Sequence, residues 1–379
     1  METINHYEYQ HKEEHGDSAL NVTAGVESQP VVNPYFKRVK RRQLSTDDYV
    51  KGILEGNISI LSQAITLVES NNRDHYAQAQ EIIERCLPYA GRSMRVGITG
   101  VPGAGKSTFI EAVGGMVTDL GHKLAVLAID PSSERSGGSI LGDKTRMETI
   151  CNNPKVFIRP SPSAGSLGGV ARKTRESVVL CEAAGFDVIF IETVGVGQSE
   201  TAVHSMVDIF MLLQISGAGD ELQGIKRGIM EMADVVAITK ADGDNRHRAE
   251  LARAQIFNAL KLFPPTESEW TPQVLTCSSV SGKGIGDVWN MVEDFIKHTK
   301  SNGFFQANRN RQSKYWMYES INEALKSSFY GDEQIASLLP GFEEDVLADR
   351  VSSFVAAKRL LDTYLVSSNP ALFAYGCLT

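Results

Sequence analysis

The sequence predicts an α/β protein: a mostly parallel sheet covered by helices on both faces, with helical extensions at either end. Three observations lead there. Short, almost continuously apolar runs alternate with helical stretches through the middle of the 379-residue chain, as strands buried on both faces do. The first such run leads through a glycine-rich turn directly into a helix. Outside this central region, apolar residues recur at helical rather than strand intervals.

Taken in order, Met1 to about Pro34 has no periodicity and is expected to be disordered. Its histidines, His6, His11 and His15, match no standard ligand spacing. The basic stretch "FKRVKRRQ" (Phe36–Gln43) reads as a solvated lead-in to a helical arm covering 35–91. There, Ser/Thr/Asp caps precede Ile53, Leu54, Ile58, Leu61, Ile65 and Val68, and a second helix over Asp74–Leu87 should stop at Pro88. The core, 92–285, contains the strand-like runs "MRVGITG", "KLAVLAID", "KVFIRPS", "DVIFIE", "DIFMLLQIS", "DVVAITKAD" and "QVLTCSS". From 286 to 379 the chain is helical again to about Val366. The surface of "YWMYESINEALKSSFY" is open to two readings, core or interface, of which apolar spacing alone favours core.

Composition narrows the function. With 42% apolar and 22% charged residues the chain reads as an ordinary globular protein. A formal charge of −8 argues against nucleic-acid binding. The 5 cysteines are scattered singly, which suggests reduced thiols rather than a disulfide framework or a zinc site. No apolar run approaches the roughly 20 residues of a membrane span. Neither a secretory nor a mitochondrial leader is evident, so a cytoplasmic location is expected.

The chemistry begins at "GITGVPGAGKST". Gly100, Val101, Pro102, Gly103, Ala104, Gly105, Lys106, Ser107 and Thr108 form a full phosphate-binding loop between strand and helix. Its glycines let backbone N–H groups wrap the phosphates. Lys106 reaches the β/γ oxygens and Ser107 holds Mg²⁺. This is the signature of a P-loop nucleotide hydrolase.

"AITKAD" then closes a later strand. Asp242 can accept from both guanine N1–H and the 2-amino group, a donor pair adenine lacks, while Lys240 lies along the base and Thr239 stands first in the string. "CSSVSGKG" follows where a base-backing loop belongs, with Ser278 and Ser279 as contacts. GTP and GDP are therefore favoured over adenine nucleotides. Three acids are candidates for the metal: Asp130, Asp143 and Glu192. In "ETVGVGQSE", the Gly195 N–H can meet the γ-phosphate. Val196 stands where Ras-like proteins carry the water-orienting glutamine, and Gln198 follows two residues later. Slow intrinsic hydrolysis is expected, with Lys106, Glu192, Gly195 and Gln198 as the catalytic set.

Together, "GDKTRM", "RPSPSAGSLGGVARKTRE", "ETVGVGQSE" and "GAGDELQGIKRGIMEMAD" resemble the MeaB/ArgK-type G-protein chaperones of methylmalonyl-CoA mutase, in the SIMIBI class of P-loop GTPases. The resemblance runs from about Leu44 to the C-terminal helices. It implies a homodimer joined largely through those helices, and a GTP-hydrolysing metallochaperone. Such a protein gates adenosylcobalamin loading into a cobalamin-dependent acyl-CoA mutase and protects that enzyme. By likeness, Lys106, Ser107, Asp130, Asp143 and Glu192 form the phosphate and magnesium site, and Asp220, Gln223 and Lys226 lie in a third switch answering to the mutase. Relatives read Asn-Lys-Ala-Asp where this chain has Thr239-Lys-Ala-Asp. The competing readings are a nickel-delivery GTPase, for which only the three N-terminal histidines speak, and a P-loop kinase.

Overall fold

The computed structural model describes residues 44–70, 72–130, 147–162, 167–193, 199–216 and 227–368. Leu44–Thr379 groups as one compact unit. The tail and the basic stretch before Leu44 lie outside the described residues.

Three helices open the described chain: α1 (Thr46–Leu54), α2 (Ile58–Glu69) and α3 (Arg73–Cys86). Ser45 caps α1 in a reciprocal box with Asp48, and Asn57 caps α2 through the N–H groups of Ser59 and Ile60. As expected, the helix stops ahead of Pro88: α3 ends at Cys86 and the chain tightens into a short 3-10 turn, Leu87–Tyr89.

The core then alternates: β1 (Met94–Gly100), α4 (Lys106–Asp119), β2 (Leu124–Asp130), the single turn α5 (Glu148–Cys151), β3 (Val156–Pro162), α6 (Leu167–Ala183), β4 (Val188–Thr193), α7 (Ser199–His204), β5 (Ile209–Ile215), α8 (Arg227–Met232), β6 (Val235–Thr239), α9 (Arg246–Leu260) and β7 (Gln273–Thr276). Each expected strand is present. They form one 7-stranded sheet in the order β3-β2-β4-β1-β5-β6-β7, with every pairing parallel.

Both faces of the sheet are dry, which is why β4 is buried at every position. Ile189 and Ile191 point to a cluster built with α1–α3, α6 and α7, whereas Val188 and Phe190 point to one built with Phe109 of α4 and Trp289. Burying a side chain such as Phe190 contributes about 2–3 kcal/mol.

Four helices close the described chain: α10 (Ile285–Ser301), α11 (Phe304–Tyr330), α12 (Glu333–Leu347) and α13 (Ser353–Ser368). Here the core reading favoured by spacing alone does not hold within the chain. On α11, Trp316 is buried, but Tyr315, Met317, Tyr318, Ile321, Leu325 and Tyr330 are exposed. At 27 residues the helix is about 40 Å long. Its first half, with Arg309, Gln312 and Trp316 buried, rests on the core, and its second half carries none of the buried residues.

Candidate functional site

The phosphate loop is shaped by close approaches. A Cβ on Gly100 would lie 2.5 Å from the Leu213 carbonyl oxygen of β5, so no side chain fits where β1 turns. Gly105, at φ 80°, turns the chain into α4 without offering a side-chain cap. The first N–H groups of α4 are thus left to serve a ligand. The Lys106 ammonium donates to the Gly100 carbonyl at 2.9 Å, folding back over the loop. Burial lowers its pKa, while the charges of Glu192 and Glu200 pull it the other way.

Hard oxygen donors meet at the start of α4. The Ser107 hydroxyl lies 3.4 Å from a carboxylate oxygen of Glu192, which is buried at the end of β4. Beside it, the Thr193 hydroxyl donates to Thr99 at 2.8 Å and ties β4 to β1. Glu192 pairs with Ala128 across β2–β4, and Asp130 ends β2 two positions further on, its side chain outside the described set. Asp143, Gly195 and Gln198 also lie outside the described residues. Among the described residues, no group of three or more His, Cys, Asp or Glu is arranged to hold a metal. A hydroxyl and a carboxylate at this spot do fit Mg²⁺, which takes oxygen ligands and keeps several waters. Glu200, buried in the first turn of α7 and close enough to act on the Lys106 charge, was not singled out by sequence motif.

The side expected to meet the base is stitched from three strands' ends. Buried Thr239 places its hydroxyl 2.7 Å from the Ala104 carbonyl and 2.9 Å from that of Gln214, so it ties the phosphate loop to β5 and β6. Lys240, at φ 56°, runs its stem against Gly105, where a Cβ would come within 3.9 Å of its Cε. Asp242 accepts from the hydroxyl of buried Ser278, while Ser279 next to it is half-buried. The backbone bonds Cys277 N–H to Ile238 and Ala241 N–H to Cys277 hold the two loops together at 2.8 and 3.0 Å.

Asn245 adds a link that no spacing rule flags. Its amide donates to the Lys240 carbonyl at 2.7 Å and its oxygen accepts from Ser216 at 2.6 Å. The segment 217–226, with Asp220, Gln223 and Lys226, departs from Ser216 and lies outside the described residues.

The family model for "Methylmalonyl Co-A mutase-associated GTPase MeaB" matches residues 61–334. The chain belongs to this family. It is 49% identical over 321 residues to a putative GTPase of Caulobacter vibrioides, covering 85% of this chain and 98% of that one. To the GTPase ArgK of Escherichia coli it is 46% identical over 284 residues, 75% of this chain and 86% of the relative. The mouse protein named methylmalonic aciduria type A homolog, mitochondrial, is 45% identical over 334 residues, 86% and 80% of the two chains. Among solved structures, a "LAO/AO transport system kinase" superposes with a TM-score of 0.67 at 36% identity, covering 84% of this chain and 97% of that one.

This MeaB-family GTPase accordingly binds and hydrolyses guanine nucleotide. Among its described residues, no helix is long and apolar enough to cross a membrane. Asp242→Asn provides a test of base reading. An amide there sets a donor against the guanine donors, whereas xanthine offers a carbonyl at that edge. GTP affinity should fall by about 10²-fold or more while XTP affinity rises. Titration calorimetry with GTP, XTP and ATP reads the outcome, and an unchanged GTP/XTP ratio removes Asp242 from the base site.

Proposed function

We propose that this chain is a magnesium-dependent GTP switch that gates adenosylcobalamin loading into a cobalamin-dependent acyl-CoA mutase of the methylmalonyl-CoA type, and protects that enzyme. The observation that carries the reading is the link through Asn245. It couples the Lys240 end of the base site to Ser216, from which the segment with Asp220, Gln223 and Lys226 departs. Occupancy of the nucleotide site and the set of that segment are then mechanically joined. Membership in a family described as mutase-associated supports the choice of partner.

In this reading Gly100–Thr108 cradle the phosphates, Lys106 neutralises the β/γ oxygens, and Ser107 and Glu192 hold Mg²⁺ with Asp130 and Asp143 as further ligands. When bound there, the ion would supply charge compensation to the phosphate oxygens. Thr239, Lys240, Asp242, Ser278 and Ser279 hold the base. Gly195 senses the γ-phosphate through its N–H, and Gln198 reaches the attacking water only after its loop rearranges, so hydrolysis is slow until a partner acts. Residues 35–91 form the arm, 92–285 the switch, and 286–379 the part through which two copies pair in the cytoplasm. The exposed aromatic and aliphatic residues of α11 support pairing there.

The deciding experiment follows transfer of adenosylcobalamin into purified apo-mutase with this chain present, under GDP, a non-hydrolysable GTP analogue or no nucleotide. Loading should differ by at least about tenfold between the GDP and analogue states, equivalent to a coupling of about 1.4 kcal/mol. Loading indifferent to both chain and nucleotide would overturn the reading.

A further inference from the structure

A second cavity lies at the opposite ends of the strands that carry the nucleotide. It has a volume of about 870 Å³ and opens where β5 and β6 begin, within the roughly 300–1,000 Å³ of small-molecule sites. Asp234 lines it just before β6 and Lys240 follows that strand, so the two sites are about 20 Å apart along one strand.

The walls are apolar and aromatic, including Phe210, Met230, Leu260, Phe263, Trp270 and Phe295. They are braced. The Trp270 indole donates to the Asp234 carbonyl at 3.1 Å and meets Phe295 edge-on at 5.4 Å. Into this setting comes one half-buried carboxylate, that of Asp234. One of its oxygens accepts the Phe210 N–H at 2.8 Å. Among the described residues no cation pairs with it, although the other charges around the cavity have partners or face solvent. Asp208, just before β5, is bound to Arg309, and Glu267 to Arg311 of α11. Lys261 lies over the Phe257 ring, and Glu231 of α8 and Glu269 are exposed. His204 of α7 is held towards its neutral form by burial and by Arg311.

We propose that this cavity binds a small organic amine with an aromatic or aliphatic body, its ammonium group donating to Asp234. An ionised carboxylate in apolar surroundings lacks compensation, and a cationic ligand supplies it while its body fills the aromatic walls. A neutral or anionic ligand of the same shape gains only the wall contacts or is repelled.

The pH dependence follows. Burial pushes the Asp234 carboxyl up to about 7, against the opposing effect of the Phe210 N–H. A folded pKa raised above the unfolded value means that the native state binds the proton more tightly. The ligand-free protein therefore loses stability as pH rises from about 4 to about 7. Amine affinity moves the other way, since only the ionised carboxylate attracts it, and should rise roughly tenfold from pH 6 to pH 8.

The test is calorimetric titration of the full chain with phenethylamine, 2-phenylethanol and 3-phenylpropionate at both pH values. Phenethylamine should bind at least tenfold more tightly than the alcohol at pH 8, and the acid not at all. Asp234→Asn keeps an oxygen for the Phe210 N–H and should bind amine and alcohol alike at either pH. Met230→Trp, which pushes a larger ring into the cavity from its wall, should weaken amine binding. Unchanged GDP affinity certifies that each variant is folded. Equal binding of amine and alcohol to the parent chain, undiminished amine binding by Asp234→Asn, or no saturable phenethylamine heat would each overturn the proposal.

Discussion

Lys106→Ala should weaken GTP and GDP retention by at least about 10²-fold and bring hydrolysis to background, the loss seen when one preorganised donor is taken from developing charge. Its ammonium bends back over the loop to 2.9 Å from the Gly100 carbonyl, and Glu192 and Glu200 oppose the lowering of its pKa by burial. The alanine variant should remain folded, because that carbonyl stands at a turn already shaped by the close contact of Gly100 with Leu213. Equilibrium binding of a fluorescent guanine nucleotide, read beside a melting curve, checks both halves. A variant holding GTP within threefold of the parent would dissolve the assignment of the phosphate site.

Arg309→Met should be the most destabilising single change considered, by about 3–5 kcal/mol. The Arg309 guanidinium grips both oxygens of Asp208 at 2.7 Å and also donates to the carbonyls of Gly91 and Ser93. Asp208 is almost fully buried, so removing the arginine strands a charge whose remaining partner is the Arg95 N–H at 2.9 Å. Next to it, Arg95 and Ser93 share Glu182, so the damage spreads along the lower edge of β1 and β5. A fall in melting temperature on the order of 4–7 °C is expected, since at roughly 2.1 cal/mol/K per residue a unit the size of Leu44–Thr379 shifts by about 1.4 °C per kcal/mol. Arg309→Met combined with Asp208→Asn should recover part of the loss, because no buried charge is then left alone. A melting temperature within 2 °C of the parent for the single variant would show that α11 is held by its apolar contacts instead.

Residues whose roles depend on immediate neighbours were legible in the chain itself. The seven strands stood out because burial on both faces leaves no polar alternation. The loop from Gly100 to Thr108 stood out because its backbone path demands glycine at set places. Lys240 and Asp242 stood out as base candidates for the same reason: a strand end and three residues hold the whole motif. Glu200 and Asn245 were missed, although each lies within a few residues of a recognised motif. Their roles come from where α7 and the start of α9 deliver them, Glu200 towards Lys106 and Asn245 between Ser216 and Lys240.

The second half of α11 was left between core and interface for a related reason. Its apolar spacing is real, but spacing records only that one face avoids water, not whether the cover comes from the same chain.

What the sequence by itself determined is therefore the set of elements and the phosphate and base motifs, since these rest on strand pleat, helix pitch and glycine's freedom, all local properties of a few bonded residues. Only the tertiary structure decided that Arg309 meets Asp208, 101 residues earlier, and that Asp234 faces an aromatic cavity. Both follow from the order β3-β2-β4-β1-β5-β6-β7. That order arises from long-range packing of the whole sheet against its helices, a global minimum that no short window of sequence contains.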